Sequence, residues 1–414
     1  MNVAAIDLTS SMFKRDPMRR FRELRALGPV LKTKQPLLGE CWITTTYEAA
    51  DSVLRDKENF CTDAINAGHQ SRMAMLDVLQ WFMPKAVKAM MSNMLTMDEP
   101  DHRRLRSLVE SAFLRQTVDD LRPHITEIVD DQLDWLEQSV SRHGIVSFQQ
   151  DFARTIPLRV ICELLGLPEE DHEKFTRWCD FSGAKGTIGT LWAMRGIGKL
   201  QRYLRTQFEM CRQKPRPGMM SALVQAERDG DRLSEEELLA SVMILLLAGH
   251  ETTTHLITVG LLSLEQHPEA KAELMADWSK ADAAVDEMLR FNSTVQMTKP
   301  RYVRQDIELY GHPIKRGEFV LPMLAAANCD PAEFPDPEQF DINRENNHHM
   351  AFGRGIHVCL GLNLAKAEAA IAFERLLTRF PDLQIAIPHD QLEWTERIGT
   401  RSLMELPVKL SPAL

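Results

Sequence analysis

The sequence has no excess of positive charge. Its 414 residues include 49 Lys and Arg against 59 Asp and Glu, which gives a formal net charge of −10 at pH 7. A protein that wraps nucleic acid or coats an anionic membrane needs a cationic surface, because both partners are polyanions. We therefore expect no nucleic-acid partner for this chain.

Cysteines are few and are not arranged in closely spaced pairs. Seven occur, at positions 41, 61, 162, 179, 211, 329 and 359, and no two have the C-x-x-C spacing. This excludes zinc-ribbon and thioredoxin-like motifs, and a disulfide framework is not expected in so long a chain. A reducing, cytoplasmic location fits this pattern best.

Long apolar runs and interdomain linkers are also missing. The longest strongly apolar run, residues 242–248, is far shorter than the roughly 18 residues that suggest a membrane span. The N-terminus has no basic segment followed by an apolar one, so we predict neither a signal peptide nor a membrane anchor. No segment rich in Gly and Ser or in Pro divides the chain, and we predict a single interlocked domain over residues 1–414.

Helical periodicity dominates what is present. Between about 100 and 290, apolar residues recur every three or four positions, which is typical of amphipathic helices. Strand-like alternation is confined to residues 28–46, 301–321 and 383–410. The pattern predicts a mainly α-helical protein with small β-sheets, of the α+β class.

One helix is expected to be unusually long. Ser234 and Glu237 have the spacing of a capping box, in which each side chain binds the other residue's backbone N–H. Nothing in the sequence stops this helix before the His267-Pro268 pair, so we predict a central helix over about 235–266. Its segment 242–248 is apolar on all sides and is predicted to be buried.

The middle of this helix is polar. It reads Ala248-Gly249-His250-Glu251-Thr252-Thr253-Thr254. Glycine costs a helix about 1 kcal/mol relative to alanine, and threonine hydroxyls can bond back to the preceding turn and bend the helix. An ionisable Glu251 in a core helix needs a partner or a shifted pKa. Two interpretations remain open: a kinked helix with a satisfied polar patch, or a groove that delivers protons to a ligand.

A second cluster surrounds Cys359. The segment reads Phe352-Gly353-Arg354-Gly355-Ile356-His357-Val358-Cys359-Leu360-Gly361, and a helical pattern follows it directly. A lone cysteine is usually a small buried hydrophobe. Here the glycines let backbone amides approach the sulfur, and the adjacent helix N-terminus favours a thiolate. The cluster therefore favours a functional thiolate over a core residue.

Together these segments resemble the cytochrome P450 family. Residues 352–361 look like the haem-binding loop of that family, and 248–253 look like its oxygen-binding helix motif. Glu287-x-x-Arg290 resembles its E-x-x-R motif, and 340–344 resembles the coil that supplies a second arginine. The order and spacing match over essentially the whole chain. The resemblance implies the cytochrome P450 fold, haem b (iron protoporphyrin IX) as cofactor, and a soluble bacterial type of haem-thiolate monooxygenase.

The resemblance also implies roles for individual residues. Cys359 would be the axial ligand of the haem iron, and its electron donation favours cleavage of the O–O bond. Glu251 and Thr252 would be the catalytic acid–alcohol pair that supplies protons. The other cofactor-binding residues that it implies are His102, Arg106, Ala248, Gly249, Arg301, Phe352, Gly353 and His357. The four basic residues of this set would contact the haem propionates, and the Gly249 region would distort the helix locally to make room.

Two further features follow from the same resemblance. Glu287, Arg290 and Arg344 would form a buried network that stabilises the haem-loop region. In addition, Cys329 stands at a position where the family usually has arginine, within a segment that ends in the Pro-dense coil 330–341. We expect this departure to alter only the local surface charge.

The segment 73–97 is rich in methionine. It contains seven of the 21 methionines of the chain, and flexible, polarizable methionines adapt to irregular apolar shapes. The resemblance implies that this segment covers the distal pocket, whereas the alternative is ordinary helix packing. The pocket residues that we predict are Phe82, Met91, Leu247, Val295 and Thr400. We therefore expect a neutral hydrophobic small-molecule substrate, such as a terpenoid, steroid-like, fatty or aromatic compound.

The implied reaction inserts one atom of O₂ into this substrate, by hydroxylation or epoxidation. The chain has no flavin or iron–sulfur segment of its own, so a ferredoxin and its NAD(P)H-dependent reductase would supply electrons. Arg103, Arg104, Arg115 and Arg354 would steer an acidic donor. Two alternatives remain open. A peroxide-driven peroxygenase typically replaces the acid–alcohol pair, which is intact here, and a non-enzymatic haem-based sensor or carrier would normally have an output domain.

Overall fold

The computed structural model describes residues 7–36, 38–68, 93–113, 117–178, 186–228 and 231–410. The chain forms two compact units. Unit 1 comprises Met1–His69, Val129–Ala153 and Thr252–Leu414, and unit 2 comprises Gln70–Ile128 and Arg154–Glu251. Both units are therefore assembled from segments that are distant in the sequence. The single domain over residues 1–414 stays a prediction.

Helices dominate both units, as predicted. The helices of the described part are α1 (Ser11–Arg15), α2 (Pro17–Arg25), α3 (Tyr47–Arg55), α4 (Asp101–Phe113), α5 (Val118–His143), α6 (Thr155–Leu165), α7 (His172–Trp178), α8 (Gly186–Gln213), α9 (Met219–Gln225), α10 (Glu235–Gln266), α11 (Pro268–Ala276), α12 (Ala281–Asn292), α13 (Leu324–Ala327) and α14 (Leu362–Arg379). The strands are β1 (Val30–Gln35), β2 (Gly39–Thr44), β3 (Phe60–Cys61), β4 (Val146–Ser147), β5 (Glu227–Arg228), β6 (Asp231–Arg232), β7 (Arg301–Val303), β8 (Ile307–Leu309), β9 (His312–Ile314), β10 (Phe319–Leu321), β11 (Gln384–Ile385) and β12 (Pro407–Lys409). The predicted mainly α class with small sheets is confirmed.

The larger sheet of unit 1 has the strand order β1-β2-β10-β7-β3. Strands β2 and β10 are parallel, whereas the other neighbouring strands are antiparallel. Side chains alternate between two hydrophobic clusters, with Trp42 and Val320 on one face and Ile43 and Leu321 on the other, as the two-residue period of a strand requires. Because β3 and β7 are neighbours, the sheet fixes the distance between Thr62, which follows β3, and Arg301, which begins β7.

A smaller sheet of unit 1 has the order β11-β12-β4. Between β11 and β12 the chain forms a hairpin-like segment, in which Trp394 is paired with Leu403. An isolated antiparallel bridge joins Thr400 of this segment to Val295. The two pocket residues that were predicted in unit 1 are therefore direct neighbours across this bridge.

Helix α14 is the central packing element of unit 1. It packs against α11 and α12, and its Phe373 lies so close to Gly260 of α10 that a Cβ there would be 2.6 Å from the ring. On another side, Arg375 makes a bidentate ion pair with Asp130 of α5, at 2.7 and 2.8 Å. The same helix thus combines apolar packing with ion pairs to α5.

Unit 2 is a group of helices. Helix α8 packs on α7 and α9, and α9 also packs on α4 and α6. Arg104 of α4 forms an ion pair with Glu237 in the first turn of α10. Although burial acts in the opposite direction, hydrogen bonds from Arg104 and Ser234 lower the pKa of Glu237. This pair fixes α4 to the start of α10.

Helix α10 has the predicted bounds and the predicted cap. Ser234 Oγ accepts from the backbone N–H of Glu237 at 3.2 Å, and Glu237 Oε2 accepts from the N–H of Ser234 at 2.8 Å. By length and composition α10 could cross a membrane, but 61% of its apolar window is buried inside the protein. The predicted burial of the whole run 242–248 is wrong, because Ile244, Leu245 and Leu247 are half-buried and Ala248 is exposed. Seven residues cover two helical turns, so one side of the run points away from the core packing.

The expectation for Cys329 is also wrong. Its side chain is only 5% exposed, so the missing arginine does not change the surface charge. Arg25 of α2 places its guanidinium there instead, with Nη2 3.5 Å from Cys329 Sγ and 2.7 Å from the carbonyl oxygen of Ala326. A cation is thus retained beside this coil, and it comes from a different segment of the chain.

Candidate haem-thiolate site

The loop that carries Cys359 is held in place by backbone hydrogen bonds within the loop. The N–H of Cys359 donates to the carbonyl of Phe352 at 2.9 Å, and the N–H of Gly353 donates to that of Met350 at 2.8 Å. Gly353 and Gly355 have φ values of 72° and 70°, a region that residues with a Cβ rarely adopt. The loop is therefore a tight, defined turn.

Cys359 differs from the other cysteines of the described part in its exposure. Cys41, Cys61, Cys162, Cys211 and Cys329 are buried, whereas Cys359 is partly accessible. Burial raises the pKa of the Cys41 thiol to about 12, which keeps that thiol protonated. The helix that was predicted to begin at Cys359 begins slightly later in the sequence, because Gly361 is the N-cap of α14. Its macrodipole still favours an anionic sulfur nearby.

Two of the predicted propionate-binding residues lie together in unit 1. Arg301 begins β7, and His357 lies two residues before Cys359. Thr62, which follows β3, joins them: its Oγ1 is 3.0 Å from Arg301 Nη1 and 3.1 Å from His357 Nε2. Thr62 was not predicted from the sequence, because a single threonine after a two-residue strand carries no motif.

The other two predicted propionate-binding residues lie in unit 2. His102 and Arg106 are one turn apart on α4, and the imidazole of His102 is only 3% exposed. Arg106 Nη2 is 3.9 Å from Glu110 Oε1 on the same helix, a separation at which an ion pair contributes little. Both residues are therefore on one face of α4, as the resemblance implies.

The polar segment of α10 shows a distinctive pattern of exposure. Ala248 and Thr252, one turn apart, are exposed, while His250, Thr253 and Thr254 are buried. His250 Nδ1 lies 2.6 Å from the carbonyl oxygen of Leu246, so this imidazole is satisfied within the helix. Ala248 and Thr252 therefore form an exposed strip on a helix whose neighbouring residues are buried or half-buried.

The predicted distortion near Gly249 does not interrupt α10, which is α-helical from Glu235 to Gln266. A Cβ at Gly249 would lie 3.5 Å from the side chain of Ile161, which is ordinary van der Waals contact. Packing against Ile161 therefore does not require glycine here.

The buried network of the E-x-x-R motif is confirmed. Arg290 donates to both carboxylate oxygens of Glu287 at 2.8 Å, and Arg344 Nε is 3.3 Å from Glu287 Oε2. The side chains of Glu287 and Arg290 are 0% exposed. Arg290 also donates to the carbonyl of Asn328, whose Oδ1 accepts from the N–H of Met350. The network therefore connects α12 to the start of the cysteine loop.

The remaining predicted residues are only partly described. Phe82, Met91 and Arg115 lie outside the described residues. Leu247 is half-buried on α10 in unit 2, and Val295 and Thr400 form the bridge in unit 1.

The residues of unit 1 fit a haem. One accessible cysteine in a tight loop would hold the haem iron through its thiolate, a ligand that haem iron accepts in proteins. The Arg301 guanidinium and the His357 imidazole, joined by Thr62, would offer hydrogen-bond donors to carboxylates such as the propionates.

Comparisons with known proteins identify the family. The model of the cytochrome P450 family matches residues 193–281 and 280–397. Vitamin D(3) 25-hydroxylase of Pseudonocardia autotrophica is 38% identical over 98% of this chain and 96% of its own length. The polyketide biosynthesis cytochrome P450 PksS of Bacillus subtilis is 35% identical over 96% and 93%.

A solved structure gives the same result for the fold. The myxobacterial cytochrome P450 CYP267B1, in complex with myristic acid, superposes with a TM-score of 0.86 at 35% identity, over 98% of this chain and 99% of that one. Family members bind protoporphyrin IX iron through a cysteine thiolate. The chain therefore belongs to the cytochrome P450 family, and it is a haem-thiolate monooxygenase.

Proposed function

We propose that this monooxygenase hydroxylates or epoxidises a neutral, largely hydrocarbon small molecule, and that the Cys359 thiolate would hold the iron of its haem. The observation that carries the proposal is the accessible sulfur of Cys359 in a loop held by backbone hydrogen bonds. When bound, the haem supplies the activation of O₂. The protein holds the cofactor, excludes water and moves protons.

The residues proposed to hold the cofactor are those that the resemblance implies. Arg301 and His357 of unit 1 would donate hydrogen bonds to propionate oxygens, and the same role is proposed for His102 and Arg106 on α4. Phe352 and Gly353 keep the cysteine loop in its turn. Each charged hydrogen bond of this kind contributes about 1.5–3 kcal/mol.

The α10 segment supplies protons. Thr252 is exposed on the helix, and a hydroxyl both donates and accepts hydrogen bonds. Glu251 precedes it and is the ionisable group next to it in the sequence. We assign Glu251 as the group that takes up a proton from solvent and Thr252 Oγ1 as the donor that presents one to the reacting centre. Ala248 and Gly249 keep the adjoining surface of the helix free of larger side chains.

The proposed substrate class is supported by the residues predicted for the pocket and by the relatives. Leu247, Val295 and Thr400 offer no formal charge to a ligand. The relatives are named for vitamin D(3) and for polyketide biosynthesis, and one structure holds myristic acid. Vitamin D(3) and myristic acid have largely hydrocarbon skeletons. A pocket of this chemistry discriminates weakly, since one methylene group changes affinity by only about 1 kcal/mol.

Bacterial members of the family use external redox partners, and we propose a ferredoxin and its NAD(P)H-dependent reductase for this chain. Arg103 on α4 is the best candidate for steering the ferredoxin, since its side chain is 73% exposed beside Glu99. Arg104 is held by Glu237, and Arg354 donates to the Tyr47 hydroxyl and the His348 carbonyl. Substituting Arg104 or Arg354 would therefore disturb the structure as well as the surface charge.

The same proposal includes a cytoplasmic location. None of the cysteines in the described part forms a disulfide, which is typical of proteins in a reducing compartment. The relatives are bacterial cytochromes P450.

The test of the site is the spectrum of the reduced CO complex. Cys359→Ser should lose the strongly red-shifted Soret band of thiolate ligation, whereas Cys61→Ser, a buried cysteine in the same unit, should keep it. A retained band in Cys359→Ser would contradict the assignment. A screen of apolar and charged ligands for the shift in haem spin state then tests the substrate class, which is wrong if charged ligands bind best.

The proton-transfer roles have a separate test. Thr252→Ala should keep haem and substrate affinity but divert electrons into hydrogen peroxide instead of product. Thr253→Ala, which changes a buried neighbour on the same helix, should stay coupled. Unchanged coupling in Thr252→Ala would remove Thr252 from the mechanism, and full activity with peroxide and no electron donor would favour a peroxygenase.

A further inference from the structure

Thr62 bridges two groups that come from separate segments of unit 1. Its Oγ1 lies 3.0 Å from Arg301 Nη1 and 3.1 Å from His357 Nε2. Thr62 is 8% exposed and Arg301 is 6% exposed, so water competes little for these hydrogen bonds. A buried hydroxyl therefore joins the end of β3, the start of β7 and the cysteine loop.

The chemistry of the three groups sets the direction of one of the two hydrogen bonds. A guanidinium only donates, so Thr62 Oγ1 accepts from Arg301 Nη1. The hydroxyl retains one proton and a second lone pair, so the tautomer of His357 decides whether Nε2 accepts from Thr62 Oγ1 or donates to it. A neutral imidazole that accepts at Nε2 has its own proton on Nδ1. In that tautomer Nδ1–H is a donor, which is what a carboxylate oxygen needs.

We propose that Thr62 is a positioning residue for the haem propionates: it fixes the guanidinium of Arg301 relative to the imidazole of His357 and selects the tautomer of His357 that donates from Nδ1. The inference rests on the proposed haem site. Thr62 needs no contact with the cofactor for this role, because it acts through the two residues that it orients.

The main alternative is that Thr62 only fills space between the strands and the loop. Two substitutions separate these possibilities. Thr62→Val keeps the branched shape and replaces the hydroxyl with a methyl group, whereas Thr62→Ser keeps the hydroxyl and removes the methyl group. A packing role predicts that the serine variant is the more damaged, and the proposed role predicts the opposite.

The experiment measures haem loss from the purified holoprotein. The ferric protein is mixed with excess apomyoglobin, and the rate of haem transfer is followed by absorbance. Thr62→Val should lose haem about tenfold faster than the parent, the loss expected when one hydrogen bond to a charged network is removed. Thr62→Ser should stay within about twofold of the parent, because the hydroxyl is retained. Resonance Raman spectra should show a shifted propionate bending band in Thr62→Val alone.

A matched control is available in the same sheet. Thr44 on β2 is fully buried, and its Oγ1 accepts from the N–H of Met323 at 2.9 Å. Thr44→Val removes an equivalent hydrogen bond away from the cysteine loop. We expect it to lower thermal stability while leaving the haem-transfer rate and the propionate band at the parental values.

Three results would overturn the proposal. The first is a haem-transfer rate in Thr62→Val equal to that of the parent, and the second is a rate in Thr62→Ser as fast as that in Thr62→Val. The third is a double variant, Thr62→Val with His357→Gln, in which the two increases in haem-transfer rate simply multiply, since coupled residues give non-additive effects. If Thr62→Val does not accumulate as holoprotein, Thr62→Ala removes the same hydroxyl and is judged by the same criteria. A parent protein without the thiolate Soret band would instead refute the haem site itself.

Discussion

Gly355 provides the sharpest test of how the cysteine loop is held. Its φ of +70° is unfavourable for any residue with a Cβ, and an added Cβ would lie closer than 3.0 Å to the carbonyl oxygen of Leu54 in α3. A backbone oxygen at the end of a helix cannot move aside as a flexible side chain does. Gly355→Ala should therefore displace the loop from α3.

The expected magnitude combines two terms. The left-handed backbone costs about 1–2 kcal/mol for an alanine, and overpacking against a rigid neighbour adds about 1–3 kcal/mol. Gly353 has φ of +72°, but its added Cβ meets nothing closer than 3.9 Å. Gly353→Ala should therefore lose only about 1–2 kcal/mol, the cost of the left-handed backbone. Gly361 has φ of −91° and open space around it. Gly361→Ala should cost at most about 1 kcal/mol, because Gly361 is the N-cap of α14 and alanine is a poorer N-cap than glycine.

Urea unfolding of the three variants, followed by circular dichroism, measures this series, and the CO complex reports thiolate ligation in each. We expect stability to fall in the order Gly361→Ala, Gly353→Ala, Gly355→Ala, and the thiolate band to weaken most in the last. Equal stability of Gly353→Ala and Gly355→Ala would refute the docking of the loop on α3.

Three further predictions concern buried charges. Glu287→Gln should lower the free energy of unfolding by about 3–5 kcal/mol, since it leaves a fully buried guanidinium without its carboxylate; a urea-melt loss below 1 kcal/mol would contradict this. Burial lowers the pKa of Lys14 to about 8, helped by the nearby Arg397. Between about pH 8 and the unfolded lysine pKa of about 10.4, the unfolded chain binds the proton that the folded protein has lost, so the free energy of unfolding should rise with pH. Lys14→Met should lack this rise, whereas the exposed control Lys34→Met should keep it. Burial raises the pKa of Glu368 well above its usual range, so parental stability should fall as pH rises above the unfolded pKa of about 4.3, and Glu368→Gln should show no such fall in pH-dependent melts.

The strongest sequence signals predicted their elements well. The capping box at Ser234 and the stop before Pro268 set the bounds of α10, and the E-x-x-R spacing led to the Glu287–Arg290 pair. Both depend on interactions within four residues, which a sequence shows directly. The short strands β3, β4, β5 and β6 were not predicted, because two residues give no periodicity and such strands form only where a distant partner is present.

The errors have a common physical cause. The burial of Ala248 and the surface position of Cys329 depend on what packs against each residue from elsewhere in the chain. The role of Thr62 was missed for the same reason, since its partners are 239 and 295 residues away. Local pattern predicts which residue types are available, whereas tertiary contacts decide which of them are brought together.

Three of the contacts that hold the cysteine loop in the described part of the chain lie in unit 1. Asn328 Oδ1 accepts from the N–H of Met350, Gly355 lies on the end of α3, and His357 bonds to Thr62. Each contact ties the loop to a different part of the chain, so the position of Cys359 is determined by the protein itself. A ligand that binds such a site loses less free energy in ordering the groups that hold it. The buried ion pair of Glu287 and Arg290 contributes to this order, because Arg290 bonds to Asn328, which in turn holds the start of the cysteine loop.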